Sequence, residues 1–98
     1  MSVSVEQGSS FAVVRLRGEL DASTAPTAED AIDGASAVNG EVVLDLASVF
    51  FLDSVGLALL IAACTRGEVQ VLRDVSAPVL RIMDRAGVTG LFELIRSG

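Results

Sequence analysis

Residues 41–60 read EVVLDLASVFFLDSVGLALL, and the first six decide the architecture. Val42, Leu44 and Leu46 fall on one side of a strand spanning Glu41 to Leu46, while Val43 and Asp45 fall on the other. A parallel sheet covered on both faces needs strands that are apolar throughout. Asp45 breaks that rule, and Arg15, Arg17, Glu68, Gln70 and Glu93 break it at alternate positions of the other predicted strands. One face of the sheet is therefore wet, and all the helices belong on the other.

Working outward, Val3 and Val5 alternate with Ser2, Ser4 and Glu6, which predicts a short first strand. The cluster Gln7-Gly8-Ser9-Ser10 turns the chain into a second strand from Phe11 to Arg17, making an antiparallel hairpin. Gly18-Glu19-Leu20-Asp21 leads away from it. Ser23 and Thr24 are candidate caps for a first helix, with Pro26 in its first turn and Ala28, Ala31, Ile32, Ala35 and Val38 at helical spacing. Gly34 weakens the second half of this helix, and Asn39-Gly40 ends it. Glu29, Asp30 and Asp33 read as its solvated side. Beyond the strand at 41–46, a loop holding Phe50 and Phe51 precedes a helix from Ser54 to Arg66, stopped by Gly67.

Glu68 to Arg73 is again a strand. Ser76 caps a third helix with Pro78 in its first turn and Val79, Ile82, Met83 and Ala86 as its apolar stripe, and Gly87 closes it. Leu91 to Ile95 makes a last strand. The order β-β-α-β-α-β-α-β predicts one α/β domain over residues 1–98: a mixed sheet of about five strands with three helices on one face. Rossmann and receiver folds, which are covered on both faces, do not fit.

Composition limits the chemistry. The 98 residues contain no histidine and no lysine, so all seven basic residues are arginines, against 13 acids, for a formal charge of −6. That excludes histidine-based acid–base catalysis, Ser-His-Asp triads, Schiff bases and the P-loop lysine. An acidic, lysine-free surface argues against nucleic acid or an anionic membrane as partner. Cys64 is the only cysteine, which leaves no disulfide and no thiolate cluster for a metal, and at core spacing it reads as an inert buried residue. The N-terminus lacks the basic and apolar regions of a secretory signal, and Val55 to Cys64 is about half a membrane span. The expectation is a cytoplasmic protein with no cofactor and no catalytic residue, one that is bound and acted upon.

The segment Asp53-Ser54-Val55-Gly56 carries the functional signal. A serine at a helix start ordinarily caps it. The helix that follows is unusual, however: Leu57, Leu60, Ile61 and Cys64 suffice for a core stripe, yet Ala58, Leu59, Ala62 and Ala63 leave almost no polar side. Either another element covers this helix or it offers an apolar surface to a partner. On the sheet, Asp45 is expected to pair with Arg15 or Arg17.

Leu52-Asp53-Ser54-Val55-Gly56-Leu57, with Gly18-Glu19-Leu20-Asp21 upstream, resembles the STAS domain of bacterial anti-sigma factor antagonists. The resemblance also takes in the hairpin, Val42 to Leu46, Ser76-Ala77-Pro78-Val79 and Ala86-Gly87-Val88. It implies partner switching. Ser54 would be phosphorylated by an anti-sigma factor that is itself a serine kinase, unphosphorylated antagonist would sequester that factor, and a phosphatase would reset the switch. Asp21, Thr24, Asp53, Val55, Gly56, Leu57, Ala58 and Leu59 would form the partner-binding surface, with Gly56 allowing close approach.

Two departures stand out. The second helix is short for the family, and the amphipathic helix that often follows the last strand is not seen after Ser97-Gly98, an absence that would leave apolar surface for a homodimer or for a partner. Gly56-Leu57-Ala58-Leu59-Leu60 also resembles the STAS subunit that binds the ATPase of bacterial ABC lipid transporters. An enzyme with Ser54 as nucleophile would need a base that the chain lacks.

Overall fold

A computed structural model describes residues 1–88, 90 and 93–95. Among the described residues five strands and three helices follow in the order β1 (Ser2–Gln7), β2 (Ala12–Leu20), α1 (Ala25–Asn39), β3 (Val42–Leu52), α2 (Ser54–Thr65), β4 (Val71–Arg73), α3 (Ala77–Ala86) and β5 (Glu93–Ile95). Leu91 and Phe92, assigned to the last strand from sequence, lie outside the described residues.

The strands lie in sequence order, β1-β2-β3-β4-β5, with β1 antiparallel to β2 and every later pair parallel. Because each right-handed crossover steps to the next strand in the same direction, all three helices land on one face. The core shows it: Ala12, Val14 and Leu16 of β2 and Val42, Leu44 and Leu46 of β3 share one cluster with Ile32 of α1, Leu60 of α2 and Met83 of α3. Truncating a fully buried member such as Leu44 to alanine costs about 2–5 kcal/mol.

The uncovered face is closed by charge. Asp45 sits opposite Arg15 on β2 and Arg73 on β4, and its carboxylate meets Arg15 Nε at 3.5 Å and an Arg73 terminal nitrogen at 3.1 Å. Arg15 also reaches Glu6 at 3.1 Å. The expected partner was Arg15 or Arg17. The register selects Arg15, adds Arg73, and places Arg17 opposite Ser48. Lying across the sheet, these side chains cover the apolar atoms beneath, and Val13 on this face is buried.

Several boundaries differ from the sequence reading. The β2 strand runs on to Leu20 and β3 on to Leu52, so Phe50 and Phe51 belong to a strand and not to a loop. The 11 residues of β3 pair with the 9 of β2. The excess is absorbed at two bulges, one between the Arg15–Asp45 and Arg17–Ser48 pairs and one at Phe50, between Val49 and Phe51. Each bulge resets the in–out alternation. Val49 and Leu52 are therefore buried while the adjacent phenylalanines are both exposed.

The α1 helix runs through Gly34 to Asn39, held by buried Ile32 and Ala35, and ends on Gly40 in the left-handed conformation (φ 74°). Asp33 on its outer side is not simply solvated. A hydrogen bond with Glu68 holds its carboxyl above the ordinary range, while Glu68 also pairs with Arg66 at 2.6 Å. Ser76 occupies the cap position of α3 but makes no cap bond; its hydroxyl donates instead to the Val49 carbonyl, tying α3 to β3. The predicted stripe of α2 is displaced. Gly56, Leu59, Leu60 and Ala63 are the buried set, Cys64 is half-buried, and only Ser54, Val55, Ala58 and Thr65 are exposed. The chain itself thus covers most of this apolar helix. Among the described residues no helix is long and apolar enough to cross a membrane.

Candidate functional site

The ends of β2 and β3 and the starts of α1 and α2 meet at one end of the sheet. Leu20 pairs with Leu52 there, so Asp21 and Asp53 leave adjacent strands side by side. Each carboxylate organises a helix start. Asp53 has extended backbone, and one of its oxygens accepts from the Gly56 N–H at 2.9 Å, the third-residue cap bond. Its other oxygen accepts from the Ala22 N–H at 3.3 Å, joining the two loops. The Asp53 N–H donates to the Leu20 carbonyl at 3.2 Å.

Asp21 and Thr24 bond each other reciprocally in the turn that leads into α1. The Asp21 carboxylate accepts from the Ser23 and Thr24 N–H groups at 3.0 and 3.1 Å and from the Ser23 hydroxyl at 2.8 Å. The Thr24 hydroxyl accepts from the Asp21 N–H at 2.9 Å and donates to the Glu19 carbonyl at 2.8 Å. The Ser23 hydroxyl, with the Thr24 bonds adding to it, holds the Asp21 carboxyl below its ordinary value. Ser23 and Thr24 were the sequence candidates for capping α1. Thr24 holds the cap position without a side-chain cap bond; the Asp21 carboxylate instead ties the turn that leads into α1, and the Asp21 backbone carbonyl accepts from the Ala25 N–H at 2.8 Å.

Ser54 was expected to cap α2, and this is corrected: Asp53 takes that role. Ser54 becomes the first residue of the helix and is exposed. Its N–H and that of Val55 are among the first-turn donors that have no acceptor within a helix. The hydroxyl thus stands at the positive end of the α2 dipole, free of the duty that would have turned it inward.

The expected partner surface divides. Val55 is 44% exposed and Ala58 is exposed, whereas Leu57 is half-buried. Gly56 and Leu59 are buried, and Leu59 also lines the floor of the groove between α1 and α2. The glycine answers an internal need: a Cβ at position 56 would lie 2.2 Å from the Leu20 carbonyl oxygen and 3.0 Å from Leu20 Cγ. Thr24 is half-buried with its hydroxyl engaged, and Asp21 and Asp53 are half-buried.

Sequence reasoning passed over Phe50 and Phe51, which are 59% and 44% exposed within five residues of Ser54. Two phenylalanines placed just ahead of Asp53-Ser54 were the available signal. Their exposure depends on the bulge at Phe50, which leaves no mark in the composition.

A family model described as Mlab, STAS domain, matches residues 3–96. The chain belongs to the STAS domain family. No curated protein matches it. Among solved structures, an anti-sigma factor antagonist from Mycobacterium paratuberculosis is 30% identical, with a TM-score of 0.85 over 98% of this chain and 86% of that one. The antagonist SpoIIAA in its unphosphorylated form is 19% identical, with a TM-score of 0.76 over 99% of this STAS chain and 89% of its own. The phosphorylated form of SpoIIAA, a Bacillus cell fate determinant, is 18% identical, with a TM-score of 0.70 over 99% and 92%.

Proposed function

We propose that this STAS domain is an anti-sigma factor antagonist that works by partner switching, with Ser54 as the phosphorylated residue. The observation that carries the reading is the division of labour at the start of α2: Asp53 makes the cap bond and Ser54 is left exposed beside it. The 30% identity to the mycobacterial antagonist supports the general role, and the partner is then an anti-sigma factor. The finer scheme is a kinase activity in that partner, a phosphatase that resets the serine, and a cytoplasmic setting shared with the sigma factor.

The chemistry suits the position. A phosphoserine adds about −1.5 to −2 charges at neutral pH. The first-turn N–H groups of Ser54 and Val55 and the α2 dipole accommodate those charges within the domain. Val55, Ala58, Phe50 and Phe51 supply the apolar contact around the serine. A partner packed on those residues has no room for a hydrated phosphate without desolvating it, and it meets Asp21 and Asp53 alongside. The modification therefore dissociates the complex while the fold persists.

The test is incubation with ATP and candidate kinase-type anti-sigma factors, followed by intact-mass measurement. One added phosphate is expected, and none on Ser54→Ala. The family description, which names Mlab, favours a second reading in which the same surface binds the ATPase of an ABC lipid transporter. Tight binding to such an ATPase, with Ser54 unmodified by every kinase tried, would replace the first reading with the second.

A further inference from the structure

A groove of about 410 Å³ runs between α1 and α2, beside the cap network. Its walls are short side chains, Ala22 and Pro26 on one side and Ala58 and Ala62 on the other, with Val55 at the Ser54 end. Val55, Ala58 and Ala62 recur at helical spacing, so they form one stripe along α2. At 1.5 Å per residue that stripe is about 10 Å long, roughly two turns of helix.

The rim is charged. Glu29 and Asp30 line the groove one turn beyond Pro26, both are exposed, and no arginine lines it. Among the described residues neither carboxylate forms a salt bridge, although Arg66 at the end of α2 attracts Glu29 through space. The occupant must therefore be apolar along its docking stripe and cationic beside it. Nucleic acid and anionic lipid are repelled by this rim. An extended peptide finds no strand edge to pair with, because both walls are helices whose backbone groups are already satisfied. A second copy docked two-fold on the groove would present the same acidic lining and no arginine to neutralise it.

We infer that this groove receives an amphipathic helix of the partner, with short aliphatic residues along its docking stripe and arginine or lysine placed to meet Glu29 and Asp30. The inference rests on the proposed function only in assigning that helix to the protein that engages Ser54.

The test uses the full chain, 15N-labelled, with two synthetic helical peptides that share an alanine–leucine stripe, one flanked by arginines and the other by glutamates. The arginine peptide shifts the amides of Ala22, Ala58 and Ala62, and its affinity falls about tenfold as salt is raised through the range that screens exposed charges. The double variant Glu29→Lys/Asp30→Lys reverses the preference towards the glutamate peptide. Both positions are exposed on a helix, so the fold is retained, and the amide spectrum reports it directly. Equal response to the two peptides, shifts confined to other surfaces, or no shift at all would overturn the groove assignment. The intact-mass experiment on Ser54 is independent: a modified serine with a silent groove removes only this inference, and an occupied groove with an unmodified serine removes only the switch.

Discussion

Replacing Gly56 with alanine tests whether the Ser54 site is held by close backbone packing. The added methyl would sit 2.2 Å from the Leu20 carbonyl oxygen, about 1 Å inside normal contact. That oxygen cannot rotate away, because it belongs to β2 and accepts from the Asp53 N–H at 3.2 Å. The helix start must therefore move, and overpacking of this kind costs about 1–3 kcal/mol. The same movement loosens the Asp53–Leu20 bond and the Asp53 cap on Gly56, each worth about 0.5–1.5 kcal/mol. Helix propensity returns about 1 kcal/mol. The net loss is about 1–5 kcal/mol, centred on about 3, which is a fall in Tm on the order of 10–25 °C for a domain of this size. Gly34→Ala is the internal control. It is exposed within α1 with nothing within 4 Å of the added Cβ, so the same substitution should stabilise by up to about 1 kcal/mol. Urea and thermal unfolding of the two variants measure both. A Gly56→Ala protein as stable as the parent would refute the packing account of the site.

Asp53→Ala removes the cap on Gly56 and the link to Ala22 together, and should cost about 1–2 kcal/mol by urea unfolding, with the largest amide shifts at residues 20–24 and 54–57. Asp45→Ala leaves Arg15 and Arg73 facing each other without their shared carboxylate, and should destabilise by about 1–3 kcal/mol, whereas Arg17→Ala should change stability by less than about 0.5 kcal/mol. The Asp21 carboxyl is held below its ordinary value of 3.8, first by the Ser23 hydroxyl. A depressed folded value stabilises the fold above the ordinary value and ceases to do so as pH falls through the folded one. Ser23→Ala should therefore raise the Asp21 midpoint in an NMR titration and flatten stability against pH below about 4.

Much of the fold can be read from alternation. Arg15, Asp45 and Arg73 mark the uncovered face of three different strands, and an uncovered face with strands in sequence order admits helices on one side only. What alternation cannot carry is a change of its own phase. The bulges at Leu46–Ala47 and at Phe50 break the two-residue period within β3, which is why Val49 to Leu52 looked like loop. The stripe of α2 was misplaced for a related reason: with nearly every position apolar, the helix carries no phase at all until α1 and the sheet choose which side is buried. At its start, Asp53 and Ser54 are adjacent and both are good caps. Only the pairing of Leu20 with Leu52, which sets Asp53 against the Leu20 carbonyl and the Ala22 N–H, decides between them. The uncommitted serine, on which the functional reading turns, is thus a product of strand register.

The most direct test of that reading compares unmodified and Ser54-phosphorylated protein for affinity to the anti-sigma factor by calorimetry, with thermal unfolding of both forms in parallel. The account predicts at least about a tenfold loss of affinity, equivalent to about 1.4 kcal/mol, with Tm changed by no more than about 2 °C. Equal affinity of the two forms would contradict the switch, and loss of the folded state on phosphorylation would make Ser54 a structural residue instead.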